Sequence, residues 1–210
     1  MNQVTVASHP LVQHHLAQLR DVKTPPAEFR RLVQRLAGLL AYEAAGDLPL
    51  EACAVRTPLV DTTGQRLRGR IGLVPILRAG LGMVDPVLNF IPDAEVWHLG
   101  LYRDEATAQA IEYYSKLPPG DPVDVGLVID PMLATGGSVV AALESLQRWG
   151  VPRLKVLTLI VSQPGIDALV KRFPQVQFYV CAIDPELNAH KYIVPGLGDA
   201  GDRIFNTLAR

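Results

Sequence analysis

The sequence predicts an α/β fold: a mainly parallel sheet flanked by helices, with N-terminal helices, a β arm and a C-terminal loop region. Three observations carry this. Residues 10–20 and 26–45 show helical spacing. From Ile71 onward, short β-branched apolar runs alternate with segments of helical period. Residues 123–149 read as a buried strand, a tight turn and an amphipathic helix in direct succession, with Val139, Ala142, Leu143, Leu146 and Trp149 on one helix face.

Taken in order, Pro10 to Arg20 and Pro26 to Ala45 read as helices, each opening on proline, and Leu32, Leu36, Leu39 and Leu40 form one stripe of the second. Residues 51–62 read as extended, and Gly64, Gly69 and the charges between them mark turns, together forming the arm. There follow strand 71–76, a helix from Leu81, strand 95–101, strand 123–129, helix 138–149, strand 154–161, helix 165–172 and strand 176–183. No period of about 20–50 residues repeats. The chain therefore reads as a single domain: residues 1–70 for the N-terminal helices and arm, 71–183 for the α/β core, and 184–210 for the C-terminal region. Ligands of such sheets collect beyond the carboxyl ends of strands, and the segments 77–82, 102–104, 130–138 and 162–165 all follow strands, so they should converge.

Composition narrows the function classes. The 210 residues are 49% hydrophobic and 20% charged, enough to bury a sizeable core. A net charge of -1 supplies no basic field for a polyanion, which disfavours nucleic-acid binding. Cys53 and Cys181 lie far apart without a Cys-x-x-Cys, so neither a zinc site nor a disulfide framework is expected, and both read as core thiols. Neither a charged-then-apolar leader nor an apolar run of about 18 residues is visible, so no membrane span is expected and the cytoplasm is the expected setting. His9, His14, His15, His98 and His190 show no metal-ligand spacing and read as structural or solvent-facing. Arg far outnumbers Lys, and Gly and Pro reach 17 each; a warm habitat and GC-rich coding both explain this.

The chemistry concentrates in Leu127-Val128-Ile129-Asp130-Pro131-Met132-Leu133-Ala134-Thr135-Gly136-Gly137-Ser138-Val139. The first N–H groups of the helix lack internal partners and carry the positive end of its dipole, so an anion placed there is stabilised. Gly136 and Gly137 let it approach, and the Thr135 and Ser138 hydroxyls can donate to phosphate oxygens. A carboxylate would repel a phosphate, so Asp130 suits sugar hydroxyls instead, as an acid after a strand does on ribose. Phosphate beside a diol describes a ribose 5-phosphate. The run is neither a Walker A loop nor Gly-x-Gly-x-x-Gly.

The strand followed by Asp-Pro-Met-Leu-Ala-Thr-Gly-Gly-Ser resembles the phosphoribosyl diphosphate signature of uracil phosphoribosyltransferases, a branch of the type I phosphoribosyltransferases. Type I members in general carry two adjacent acids here. Asp130 is followed by Pro131, as is usual in the uracil branch. Val74-Pro75-Ile76-Leu77-Arg78-Ala79-Gly80-Leu81-Gly82-Met83 and Tyr192-Ile193-Val194-Pro195-Gly196-Leu197-Gly198-Asp199-Ala200-Gly201-Asp202 resemble the same family, and the likeness runs from Ser8 to Phe205.

The resemblance implies a reaction: uracil plus 5-phospho-α-D-ribose 1-diphosphate (PRPP) gives UMP and diphosphate. It implies that Arg78 and Arg103 hold diphosphate, that Asp130, Pro131, Met132, Leu133, Ala134, Thr135, Gly136, Gly137 and Ser138 hold the sugar phosphate, and that Asp199 faces PRPP. Ile193, Gly198, Asp199 and Ala200 would line uracil. Arg78, Arg103, Asp130 and Asp199 are the expected catalytic set, with either Asp199 or the leaving diphosphate accepting the N1 proton. Taken by themselves, Arg78 reads equally as a surface arginine and Arg103 as the partner of Asp104 or Glu105. A cis peptide is expected at or beside Leu77–Arg78. Residues of about 104–122 correspond to a flap over the site, in which Tyr114 and Lys116 either reach a phosphate or pack the flap. Mg2+ is expected on the oxygens of PRPP, with no protein metal cage. A homodimer or higher homo-oligomer is implied, as is a GTP effector in some members. Two other readings are weaker: a pyrimidine-sensing RNA regulator lacks its basic face, and a purine phosphoribosyltransferase is disfavoured by the C-terminal loop and by the single Asp130-Pro131.

Overall fold

A computed structural model describes residues 3–103, 110–115 and 117–207, with the backbone alone for 101–103 and 110–115. In chain order the elements are β1 (Val4–Val6), α1 (Pro10–Arg20), α2 (Pro26–Ala45), β2 (Leu50–Arg56), β3 (Asp61–Leu67), β4 (Ile71–Leu77), a 3₁₀ turn (Ala79–Met83), α3 (Val84–Leu88), β5 (Glu95–Val96), β6 (Leu99–Arg103), β7 (Ala110–Ser115), β8 (Val125–Ile129), β9 (Met132–Leu133), α4 (Gly137–Trp149), β10 (Arg153–Ser162), α5 (Gln163–Arg172), β11 (Gln177–Asp184), β12 (Glu186–Leu187), β13 (Ile193–Val194) and α6 (Ala200–Phe205).

The main sheet runs β1-β11-β10-β8-β4-β6-β7, with β5 beside β4 and β9 beside β10. Every pair in it is parallel except β6 with β7. The expected architecture is therefore the one found. β4, β8 and β10 are apolar and buried almost throughout because both sheet faces are covered. On one face Phe29, Leu32, Val33, Leu36 and Leu40 of α2 pack with Leu73, Leu127, Ile129 and Leu157. On the other, Val139, Leu143 and Leu146 of α4 pack with Val74, Val128 and Val156. Each fully buried Leu or Val contributes about 1.5–3 kcal/mol. Lys155 is wholly buried within β10, where its ammonium donates to the Ala44 carbonyl at the end of α2 and pairs with Asp47. Burial pulls the Lys155 pKa down, against the pull of Asp47.

Several local expectations need correction. The helix from Leu81 is a 3₁₀ turn followed by the five-residue α3, since two glycines and Pro86 leave too little continuous helix former. The strand at 95–101 is two short strands, β5 and β6, although Trp97 N still bonds the Leu73 carbonyl at 2.9 Å. Gly64 is no turn: it sits inside β3 opposite Cys53. Cys53 is half-buried on the arm rather than a core thiol, whereas Cys181 is buried and its thiol is pushed up to about 12 by desolvation. Edge strand β1, paired Val4↔Phe178, was not anticipated, because three residues carry no readable period. Among the described residues, no helix is long and apolar enough to cross a membrane.

Candidate active site

β8 lies between β10 and β4, so the chain changes direction across the sheet at the carboxyl end of β8, the crevice where such sheets receive ligands. Asp130 is the first residue past that end. Its backbone N–H bonds the Leu157 carbonyl at 3.3 Å, and the buried Pro131 carbonyl accepts from Leu159 and Ile160 N–H at 3.2 Å each. Met132 and Leu133 then form β9 against Ile160 and Val161. The 130–133 segment is thus pinned to β10, and Pro131 faces that strand instead of lining either cavity described below.

The helix after it begins as its sequence demands. Gly136 is the N-cap of α4 with φ 82°, a left-handed conformation open to glycine, and no side chain caps the helix. A Cβ on Gly137 would meet nothing nearer than the Thr135 hydroxyl at 3.9 Å, so the space beside the helix start is open. A cavity of about 170 Å³ occupies it, lined by Asp130, Met132, Leu133, Ala134, Thr135, Gly136, Gly137, Ser138 and Val139. α5 packs behind the 134–136 loop: its N-cap, Ser162, donates to the Ala134 carbonyl at 2.6 Å and accepts from Gly165 N–H at 3.0 Å, and Leu169 lies against Gly136.

Next to Asp130 runs the loop after β4. The Leu77–Arg78 peptide is cis, at the bond where the resemblance led us to expect it; Val194–Pro195 is also cis, which was not expected. The loop passes so close to β8 that a Cβ on Gly80 would lie 2.6 Å from the Ile129 carbonyl oxygen. Arg78 is exposed, and its guanidinium donates to Asp202 of α6 at 3.3 Å. It therefore stands over the α6 start without lining either cavity.

A second cavity, of about 360 Å³, is lined by Ala79, Met132, Ala134, His190, Lys191, Tyr192, Gly198, Asp199, Ala200 and Gly201. Met132 and Ala134 line both cavities, so the two adjoin. Asp199 caps α6, accepting Asp202 N–H at 2.8 Å. The Asp130 carboxyl is pushed up to about 7, chiefly by burial and further by the Asp199 charge, against one weak bond from Met132 N–H. Ile193 is buried and does not line this cavity. His190, Lys191 and Ala79 do line it, and no spacing in the sequence had singled them out as ligand residues.

Arg103 ends β6, parallel to β4, so its backbone lies at the same end of the sheet as Arg78. Its side chain, residues 104–109 and 116, and the side chains of 110–115, Tyr114 among them, lie outside the described residues. The rest of the expected flap includes β7, which pairs antiparallel with β6.

The family model described as uracil phosphoribosyltransferase matches residues 6–207. The chain belongs to the uracil phosphoribosyltransferase family. Curated uracil phosphoribosyltransferases from Roseiflexus sp. (strain RS-1) and Symbiobacterium thermophilum are 58% and 52% identical to it, over 99% of this chain and 100% of each relative. A solved protein from Aquifex aeolicus shares 35% identity with a TM-score of 0.91, covering 96% of this chain and 97% of that one. An adenine-type phosphoribosyltransferase structure from Giardia lamblia, 14% identical with a TM-score of 0.52 over 73% of this chain and 80% of that one, shares the fold alone. In this chain Asp130 and Met132 of the Asp-Pro-Met run and Gly198, Asp199, Ala200 and Gly201 of the C-terminal loop line the two adjoining cavities.

Proposed function

We propose that the two adjoining cavities act as one site, in which uracil N1 displaces diphosphate from C1 of PRPP to give UMP. The observation that carries this reading is the seam: Met132 and Ala134 border both cavities, with Asp130 and Asp199 electrostatically coupled across it. The smaller cavity, at a helix start with open glycine, suits the 5-phosphate. Asp130 accepts from the ribose hydroxyls. The larger cavity, with the backbone of Gly198 and Ala200 on its wall, suits a flat pyrimidine whose edge is read by main-chain groups, which rejects a base that leaves them unpaired.

The transition state spreads positive charge over the ribose ring and negative charge onto diphosphate, as in glycoside chemistry. Forked guanidinium donors suit the departing diphosphate, and Arg78 follows β4 while Arg103 ends the neighbouring parallel β6, at the same end of the sheet. The N1 proton passes to Asp199 or to the diphosphate. Near the seam the carboxylates are Asp130 and Asp199, and no group of three or more metal-ligating side chains occurs among the described residues. That donor set fits Mg2+ arriving on PRPP, because the ion keeps water and substrate oxygens as ligands and would neutralise diphosphate charge. A cytoplasmic setting, a homodimer or larger homo-oligomer and a GTP effector complete the reading on resemblance; exposed Leu59 and Val60 on the arm support the second.

Product formation from PRPP with uracil, cytosine, hypoxanthine and guanine tests the reading. UMP and diphosphate are expected from uracil alone; turnover with a purine, or none with uracil, overturns it. Arg103→Ala is expected to lower kcat about 100-fold through lost diphosphate stabilisation. Full kcat at saturating substrates would remove Arg103 from the mechanism.

A further inference from the structure

Gly198, on the wall of the larger cavity, ends a short loop, Pro195 to Gly198, that runs from β13 toward α6, and three charged side chains hold that loop from behind. Arg20, the last residue of α1, makes a two-pronged pair with Asp184 at 2.7 and 2.6 Å. The same guanidinium donates to the Gly196 carbonyl at 2.7 Å, while Asp184 accepts the Gly196 N–H at 2.9 Å. Both polar groups of that residue's backbone are therefore gripped by one ion pair. Asp184 ends β11, so the pair ties the loop to the sheet.

Arg203, from α6, takes the next residue. It donates to the Leu197 carbonyl at 2.7 Å, to the Leu19 carbonyl at 3.0 Å and to the Asp21 carbonyl at 2.7 Å, with its guanidinium 4.2 Å over the Phe29 ring. The Leu19 carbonyl lies in the last turn of α1, where carbonyls lack partners within the helix. Arg20 and Arg203 line a separate cavity of about 300 Å³ on the reverse of the loop, and Gly198 and Asp199 border both that cavity and the larger one in front. Gly198 and Asp199 therefore stand between the two cavities, with Arg20 and Arg203 behind them and the larger cavity in front.

We propose that Arg20, Asp184 and Arg203 are positioning residues that set the affinity and selectivity for the base through the Pro195 to Gly198 loop. The proposal rests on the larger cavity being the uracil site. A loop freed from its anchors spends less time in the binding-competent position, and apparent affinity falls in proportion to that fraction. The penalty falls on the base, because the sugar-phosphate cavity is built from β8, β9 and α4, which none of the three side chains touches among the described contacts.

Steady-state kinetics of Arg20→Gln and of Asp184→Asn test this. The expected result is a KM for uracil raised about tenfold with a KM for PRPP within about twofold of the parent, and narrower discrimination between uracil and cytosine. Arg20→Lys, which keeps the charge but loses the fork, should fall between the parent and Arg20→Gln. If Asp184→Asn does not fold, Arg20→Gln and Arg20→Lys decide the matter, since Arg20 is partly exposed at the surface. An unchanged uracil KM in a folded variant, or equal rises for both substrates, overturns the proposal. Failure of the underlying reading shows separately, as absence of uracil turnover in the parent chain.

Discussion

Asp130→Asn is expected to cost about 100-fold in kcat/KM while making the chain more heat-stable at pH 8. In the proposed role of Asp130, the kinetic loss follows from replacing a charged acceptor for the ribose hydroxyls by an amide that offers one acceptor and one unwanted donor. The stability gain follows from the carboxyl itself, which is pushed up to about 7 by burial and by Asp199. An unfolded aspartate titrates near about 3.9. Between that value and about 7 the folded chain holds a proton that the unfolded chain has lost. Stability from this group is thus fully present below the unfolded value and is lost as pH rises through 7. Asparagine carries no such penalty. The Tm of the variant should sit close to the parent at pH 4 and rise above it at pH 8. A Tm difference independent of pH between those limits would show that Asp130 is not held in the desolvated, like-charged position described.

Gly165→Ala should damage both stability and substrate binding. A Cβ there would lie 2.1 Å from the Ala134 carbonyl oxygen and 2.9 Å from both the Leu133 side chain and the Ser162 hydroxyl. Real side chains do not approach backbone oxygen so closely, so either α5 or the 133–135 segment must move. Movement breaks the Ser162 bond to Ala134 and shifts the residue that borders both cavities. Overpacking of this kind costs about 1–3 kcal/mol. The expected outcome is a lowered Tm together with a KM for PRPP raised about tenfold or more, since the displaced segment is the one proposed to hold the sugar phosphate. Gly165→Ala with parental Tm and parental PRPP KM would show that the loop does not depend on its packing against α5.

Much of the frame was legible. α1 and α2 begin and end where the proline starts and apolar stripes put them, and strand β8 leading into α4 could be read because period, glycine and helix start coincide within a few residues. What escaped was of two kinds. β1 and β9 are three and two residues long, too short to carry a period, and exist only because a neighbouring strand supplies their bonds. The contacts of Arg20 with Asp184 and of Arg203 with Leu19 join residues 164 and 184 positions apart, and nothing local marks an arginine that will meet a carbonyl. The site divides in the same way. Asp130, Gly136, Gly137 and Ser138 announced themselves through local chemistry, and Gly198, Asp199 and Ala200 through resemblance. His190 and Lys191 line the larger cavity only because the chain folds back after β12. Lys155 is the clearest case of local preference overruled, a cation in the middle of the sheet made tolerable by Asp47 and the end of α2.

The chain has two tryptophans, and they touch: Trp97 and Trp149 meet edge to face with ring centres 5.7 Å apart. Trp149 also donates from its indole nitrogen to the Pro118 carbonyl, in the stretch that leads from β7 back into β8. All indole emission from this protein therefore originates at a single spot, beside the root of the segment expected to cover the substrates. The molecule carries its own optical probe, and substrate-dependent quenching could be followed without attaching a dye.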